Sequence, residues 1–309
     1  MGLTDSHMEI RLINADEALK LYLRPLDPDA DKFANGSVLV IAGSYGMTGA
    51  AVLCAKAAMR SGAGLVYSAL PGACLRNVEN SLPEAVKCPL GDSGKKYFDI
   101  DDADRLTELS GRKDAVVIGP GLGREAGTQK LVRKLLSSKD FAPDAKAVVL
   151  DADGLFPYTG DAVELKRAAE IRPGKLIITP HEGEASRLLG EARERIKEDR
   201  VRAARMLGEL LCGGSAVLKG HRTLVAARGE LWENRTGNPG MGTGGSGDVL
   251  AGIIAGLSAG SSEHCQNLLN VVKSAVAIHG LAGDAAAGRH SQRYITASDL
   301  IFELGEMRN

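Results

Sequence analysis

Three observations predict an α/β fold with a mostly parallel central sheet. Short apolar runs recur along the chain and most of them stop at Gly or Pro. The runs are continuous in Val, Ile and Leu rather than alternating, as in strands buried on both faces. Helix-like stretches separate them, and alternation of strand and helix is the mark of the α/β class.

In chain order, Val38–Ala42 (VLVIA) leads into Gly43, and Ala50–Ser61 reads as a helix. Leu65–Leu70 stops at Pro71, and Ala115–Ile118 ends at Gly119-Pro120-Gly121. Ala147–Leu150 ends at Asp151, Lys175–Thr179 at Pro180, and Ala216–Leu218 at Lys219-Gly220. Thr223–Asn234 departs from the pattern, because two short runs flank Arg228-Gly229 like an antiparallel hairpin. Helices follow at Val249–Ala259, about Cys265–Ala287, and Ala297–Met307. Glu191–Arg205 is densely charged with mixed signs, which reads as a solvated helix face. No repeat, linker or charge block marks a boundary, so residues 9–309 are expected to form a single domain. The start, Met1–Met8 (MGLTDSHM), lacks an apolar core and reads as an expression scar.

Composition narrows the function classes. Lys and Arg number 38 against 39 Asp and Glu, so no basic field recruits nucleic acid or an anionic membrane. No apolar run approaches the ~18–20 residues that span a bilayer. Five widely spaced cysteines with no C-x-x-C pair argue against a disulfide framework or a zinc site, which fits a reducing, cytoplasmic setting. Glycine is abundant, 38 of 309 residues, and sits at the ends of apolar runs, where backbone turns or approaches a ligand.

The densest glycine cluster carries the chemistry. Asn238-Pro239-Gly240-Met241-Gly242-Thr243-Gly244-Gly245-Ser246-Gly247-Asp248 runs directly into an apolar helix. Successive backbone N–H groups from Thr243 to Gly247 can form an anion nest, and the helix N-terminus aims its dipole at the same point. Asp248 beside such a nest is electrostatically unfavourable unless it has a task. It could take a proton from an attacking hydroxyl or hold a metal ion, or it could simply cap the helix.

Other strand ends are weaker signals. Gly43-x-x-Gly46-x-x-Gly49 invites a dinucleotide-fold reading, but the spacing is not G-x-G-x-x-G, and no acid follows the second strand, which ends Tyr67-Ser68-Ala69-Leu70-Pro71. Gly119–Gly123 could bring backbone close to a ligand. Asp151 and Asp153 suit magnesium, a ligand hydroxyl or helix caps. His181 in Thr179–Glu184 is either a surface histidine or a ligand contact, and Lys219–Thr223 could meet a nucleotide phosphate or ribose. Neither a G-x-x-x-x-G-K-[ST] nor a G-x-S-x-G motif occurs.

Taken together, GSVLVIAGSYGMTGAA, VVIGPGLGR, VVLDADGL, IITPHEGEASRL, AVLKGHRT and NRTGNPGMGTGGSGDVLAGIIAGL, in that order, closely resemble the ADP/ATP-dependent NAD(P)H-hydrate dehydratases of the ribokinase-like superfamily. The resemblance runs from about Ser37 to Leu304. It implies a three-layer α/β/α sandwich without a separate lid domain. It also implies a repair reaction in which the ring hydroxyl of the S epimer of hydrated NADH or NADPH is phosphorylated and phosphate then leaves. On the same footing Asp248 is the base that activates the hydroxyl. Lys219, Gly220, His221, Arg222, Thr223, Asn238, Thr243, Gly244, Gly245, Ser246 and Gly247 form the nucleotide site. Ala50, Gly121, His181 and Asp248 line the hydrated-dinucleotide pocket, with Gly123 beside them. ADP is expected as co-substrate, ATP being the alternative, with Mg2+ on the nucleotide and protein ligands for it unknown. A homo-oligomer is expected, as is a separate epimerase as pathway partner. The competing readings are a small-molecule kinase of the same fold and a non-catalytic nucleotide-binding protein.

Overall fold

The computed structural model describes residues 9–25, 27–260 and 267–308. The presumed scar and Cys265 lie outside the described residues. Ten strands form one sheet: β1 (Ile10–Leu12), β2 (Ser37–Ile41), β3 (Leu65–Pro71), β4 (Val86–Leu90), β5 (Ala115–Ile118), β6 (Ala147–Leu150), β7 (Leu176–Ile178), β8 (Ser215–Leu218), β9 (Leu224–Ala227) and β10 (Glu230–Glu233). The helices are α1 (Ala15–Tyr22), α2 (Thr48–Arg60), α3 (Leu75–Glu79), α4 (Ala103–Ser110), α5 (Ala126–Ser137), α6 (Ala162–Ile171), α7 (Glu182–Leu189), α8 (Arg193–Glu198), α9 (Arg200–Glu209), α10 (Ser246–Ala259), α11 (Leu268–His290) and α12 (Ala297–Glu306).

The spatial order is β4-β3-β2-β5-β6-β7-β8-β9-β10-β1. Neighbouring strands run parallel except that β9 pairs antiparallel with both β8 and β10. The Arg228-Gly229 turn therefore makes the expected hairpin.

Successive residues of each central strand point to opposite faces, and both faces are apolar. Val38 and Val40 of β2 join one core, with α2, α10, α11 and α12, while Leu39 and Ile41 join the other, with α5, α6, α7 and α9. Burial on both sides explains the unbroken Val/Ile/Leu runs and produces the three layers.

Two strands escaped prediction, and both are sheet edges. β4 (VKCPL) contains Pro89 and pairs only with β3, whereas β1 pairs only with β10 and is exposed along its length. An edge strand tolerates proline and polar residues because one side makes no ladder, and that erases the apolar-run signal. The charged stretch Glu191–Arg205 folds as α8 and most of α9, but it is not a uniformly solvated face. Ile196, Ala203 and Ala204 are buried, and Arg200 is only 18% exposed.

Helix α10 packs along α2 at close range. A Cβ on Gly252 would overlap the Cys54 carbonyl, and one on Gly256 the Ala58 carbonyl, so these glycines set the interhelical distance. That contact lies one to two turns beyond Asp248 and fixes where the N-terminal turn of α10 emerges above the sheet. No helix among the described residues is long and apolar enough to cross a membrane.

Candidate active site

From β2 the chain moves through β3 to β4 in one direction, and from β5 through β6 and β7 to β8 in the other. The order thus reverses between β2 and β5, and in open α/β sheets the crevice at such a point is where ligands bind. The loops leaving these two strands close on each other there. Gly43 N donates to the Pro120 carbonyl at 2.8 Å, and Ser44 Oγ donates to the Gly121 carbonyl at 2.9 Å. A Cβ on Gly121 would sit 2.9 Å from Ala50 Cβ and 2.8 Å from the Met47 carbonyl, so glycine is sterically required. Gly123 N donates to Asp153 Oδ2 at 3.1 Å, which ties this loop to the end of β6.

A cleft of about 990 Å³ opens beside this point, over the ends of β6, β7 and β8. It is lined by Asp248, His181, Lys219–Thr223, Asn238, Thr243, Ser246 and Gly247. Eleven residues picked from motifs scattered between 181 and 248 thus share one cavity. Ala50, Gly121, Gly123, Gly244 and Gly245 are not on its wall. Gly244 has open space where a side chain would be, while Gly245 turns into α10 at φ +89° with Leu53 packed against it.

Helix α10 begins at Ser246 with Gly245 as its N-cap, which makes Asp248 the third helical residue rather than the cap. Its carboxyl is pushed up to about 7, first by burial and then by the negative charge of Asp151, against the pull of Lys219. A carboxyl with that proton affinity exchanges a proton readily near neutral pH, as a general base must.

The partner charges are built by three strand ends. Lys219 Nζ, after β8, donates to Asp151 Oδ1, after β6, at 2.6 Å and lies 3.9 Å from Glu184 Oε2. Thr179 Oγ1, after β7, donates to the same Asp151 oxygen at 2.6 Å. Burial disfavours the ammonium, but Asp151 and Glu184 outweigh it and hold Lys219 charged above its ordinary range. The other carboxylate oxygen of Asp151 is buried without a partner. A Cβ on Gly247 would lie 3.2 Å from Lys219 Nζ and 3.9 Å from that oxygen. Glycine at 247 therefore keeps the N-terminal turn of α10 clear of a side chain beside the ammonium. Asp151 and Asp153 make no side-chain cap on the turn that follows β6, so the capping alternative for them falls away.

His181 does two jobs. As N-cap of α7 its Nδ1 accepts from Gly183 N at 2.9 Å, while Glu184 accepts from His181 N at 2.8 Å, a reciprocal capping box. With Nδ1 accepting, Nε2 is the ring nitrogen placed to donate to Glu184 Oε1, at 3.1 Å. Burial raises the Glu184 carboxyl, yet the bond from His181 and the charge of Lys219 hold it below its usual range. The ring of His181 remains half exposed at the cleft wall.

Sequence reasoning missed His279 of α11, whose Nε2 lies 2.9 Å from the Ser246 carbonyl and 3.2 Å from Ser246 Oγ. Burial depresses its pKa to about 4, so it is a neutral brace for the first residue of α10. A lone histidine inside a long helix gives no warning of this. Asp284 was also missed; it accepts from Gly237 N at 2.8 Å and Asn238 Nδ2 at 3.0 Å and holds the glycine loop against α11.

Among the described residues no group of three or more His, Cys, Asp or Glu could hold a metal ion. Of the acidic side chains at the cleft, Asp151 and Glu184 are paired with Lys219 and His181, and Glu182 with Arg200.

The sequence profile described as NAD(P)H-hydrate dehydratase matches residues 38–305. The bifunctional NAD(P)H-hydrate repair enzyme Nnr of Moorella thermoacetica is 39% identical over 270 residues, covering 86% of this chain and 48% of that protein. The enzyme of the same name from Escherichia coli is 34% identical over 297 residues, 95% of this chain and 51% of that one. The chain thus spans about half the length of the curated relatives it matches. Among solved structures, the ADP/ATP-dependent NAD(P)H-hydrate dehydratase of Bacillus subtilis, co-crystallized with ATP and Mg2+, superposes with a TM-score of 0.75 at 27% identity, covering 97% of this chain and 98% of that one.

Proposed function

This chain belongs to the NAD(P)H-hydrate dehydratase family, and from that premise we propose that it converts the S epimer of hydrated NADH or NADPH to NADH or NADPH at the expense of a nucleotide, ADP rather than ATP. The observation that carries the reading is the Asp248 carboxyl, tuned to about 7, standing at the N-terminal turn of α10 with the Lys219 ammonium beside it.

Each residue then has a role. Asp248 takes the proton from the ring hydroxyl as that oxygen attacks the terminal phosphorus of the nucleotide. The bond from that phosphorus to the bridging oxygen breaks, leaving AMP when ADP is the donor. Lys219 and the N–H groups of Gly244–Gly247 offset the charge gathering on the transferred group. The C–O bond of the phosphorylated ring then breaks, pushed by the ring nitrogen, and phosphate departs with the bonding pair. Loss of a ring proton restores the dihydronicotinamide. Phosphate is a far better leaving group than hydroxide, which is why a kinase-like site suits a dehydration. Magnesium would arrive on the nucleotide phosphates, where it would offset their charge during transfer.

The hydrated ring would lie between His181, Asp248 and the Ala50–Gly121–Gly123 loops at the reversal of strand order, with the nucleotide over Lys219–Thr223 and Asn238–Gly247. We further infer residues 9–309 as one domain, a homo-oligomeric and cytoplasmic enzyme, and an epimerase as its pathway partner. The test is absorbance at 340 nm after mixing the protein with magnesium, hydrated NADH and ADP or, separately, ATP. A nucleotide-dependent rise is the expected result and names the donor. No rise with either, using substrate that a control enzyme turns over, overturns the reading in favour of a small-molecule kinase.

A further inference from the structure

Arg200 belongs to the charged stretch that reads as solvated, yet it is turned inward. Its Nη1 donates to Glu182 Oε1 at 2.6 Å, and its Nη2 faces the Leu218 and Lys219 carbonyls at 3.2 and 3.5 Å. Both partners of the ion pair are mostly buried, 18% and 21% exposed, where loss of one partner leaves the other charge uncompensated and costs more than on the surface. The guanidinium packs on Gly220, whose φ is +142°, and a Cβ there would overlap it. Two residues on, Arg222 holds φ +53°. This turn is therefore not in a relaxed geometry, and such backbone persists only where surroundings hold it. Its ends are tied by Lys219 N to the Pro180 carbonyl and Asn234 N to the Thr223 carbonyl, both at 2.9 Å, and its middle by the Arg200 fork and the bond from Thr223 Oγ1 to the Gly220 carbonyl at 3.0 Å. Glu182, the other end of the fork, follows His181 and lies on the cleft wall.

We propose that Arg200 is a positioning residue for nucleotide binding: its planar guanidinium clamps the Lys219–Thr223 turn to Glu182 and holds that turn ready for the nucleotide. The proposal rests on the reading of Lys219–Thr223 as nucleotide loop. A turn released from the clamp samples other shapes, and each binding event must then order it again, which weakens affinity without touching the reacting groups. Lysine cannot replace the fork, because one ammonium cannot meet a carboxylate and two carbonyls in one plane.

The experiment measures the ADP dissociation constant by calorimetry without dinucleotide, kcat and KM for both substrates, and the melting temperature, for Arg200→Lys, Glu182→Gln and Gly220→Val. Arg200→Lys is expected to weaken ADP binding about tenfold, with kcat changed less than about threefold. Glu182→Gln, isosteric and neutral, shifts ADP binding the same way by less and carries the test should Arg200→Lys not fold. Gly220→Val strains the turn and displaces the Arg200 guanidinium together, and is expected to weaken ADP binding most. If Gly220→Val leaves ADP binding unchanged, the nucleotide-loop reading fails. If Gly220→Val weakens it while Arg200→Lys and Glu182→Gln do not, the Arg200 proposal alone is overturned. A lower melting temperature with unaltered ADP affinity in the folded variants also overturns it, since that is what a merely structural arginine would give.

Discussion

Replacing Asp248 with Asn should move activity and stability in opposite directions. The folded protein holds the Asp248 proton with a pKa of about 7 against the ordinary 3.8. At ~1.4 kcal/mol for each tenfold change in proton affinity, ionising this carboxyl in place costs at most about 4 kcal/mol. The side chain is partly solvated, so about 2–3 kcal/mol is the working figure. Because the folded pKa is the higher one, its contribution to stability is fully present below about pH 4 and is lost as pH rises through about 7. Asn resembles the protonated form and escapes that loss. At pH 8 the variant should therefore resist urea by about 2–3 kcal/mol more than the parent, and at pH 4 the two should converge. Its turnover, read at 340 nm, should fall at least ~100-fold with ADP affinity little changed, as for removal of a general base. Urea curves at both pH values with the rate assay test all of this. A variant that is less stable than the parent at pH 8, or one that keeps full activity, would refute the reasoning.

Three further outcomes follow from the same geometry. Asp151→Asn removes the charge that, after burial, most raises Asp248, so the acid limb of the kcat profile should move to lower pH; a limb that moves up, or stays, contradicts the charge assignment. His279, held neutral with a pKa of about 4, gives stability that is full above about pH 6.5 and lost as pH falls through 4. His279→Asn should flatten urea stability between those values, and an unchanged slope would show that the ring is not buried as described. Gly252→Val forces α10 away from the Cys54 carbonyl. It should cost about 1–3 kcal/mol in denaturant unfolding and lower kcat by displacing Asp248, whereas loss of stability with kcat intact would separate that helix contact from the site.

The layered α/β fold was legible because strands covered on both faces must be apolar throughout, as Val38–Ile41 and Ala147–Leu150 are, and because Gly and Pro mark where they stop. Asp248 stood out as a candidate for a local reason: a carboxylate beside a glycine-rich loop that opens a helix needs either a cap or a chemical task. The edge strands β1 and β4 were not legible, since one unpaired side removes the demand for apolar residues. Only the tertiary structure decided that Lys219 pairs with Asp151 across 68 positions of sequence, and that pairing with burial sets the proton affinity of Asp248. It also decided that Asp248 sits inside the first turn rather than capping it, that His279 braces Ser246, and that Arg200 faces inward. Periodicity reports which residue types suit a face. Which charges meet depends on strand order, and the reversal between β2 and β5 is a property of the whole sheet.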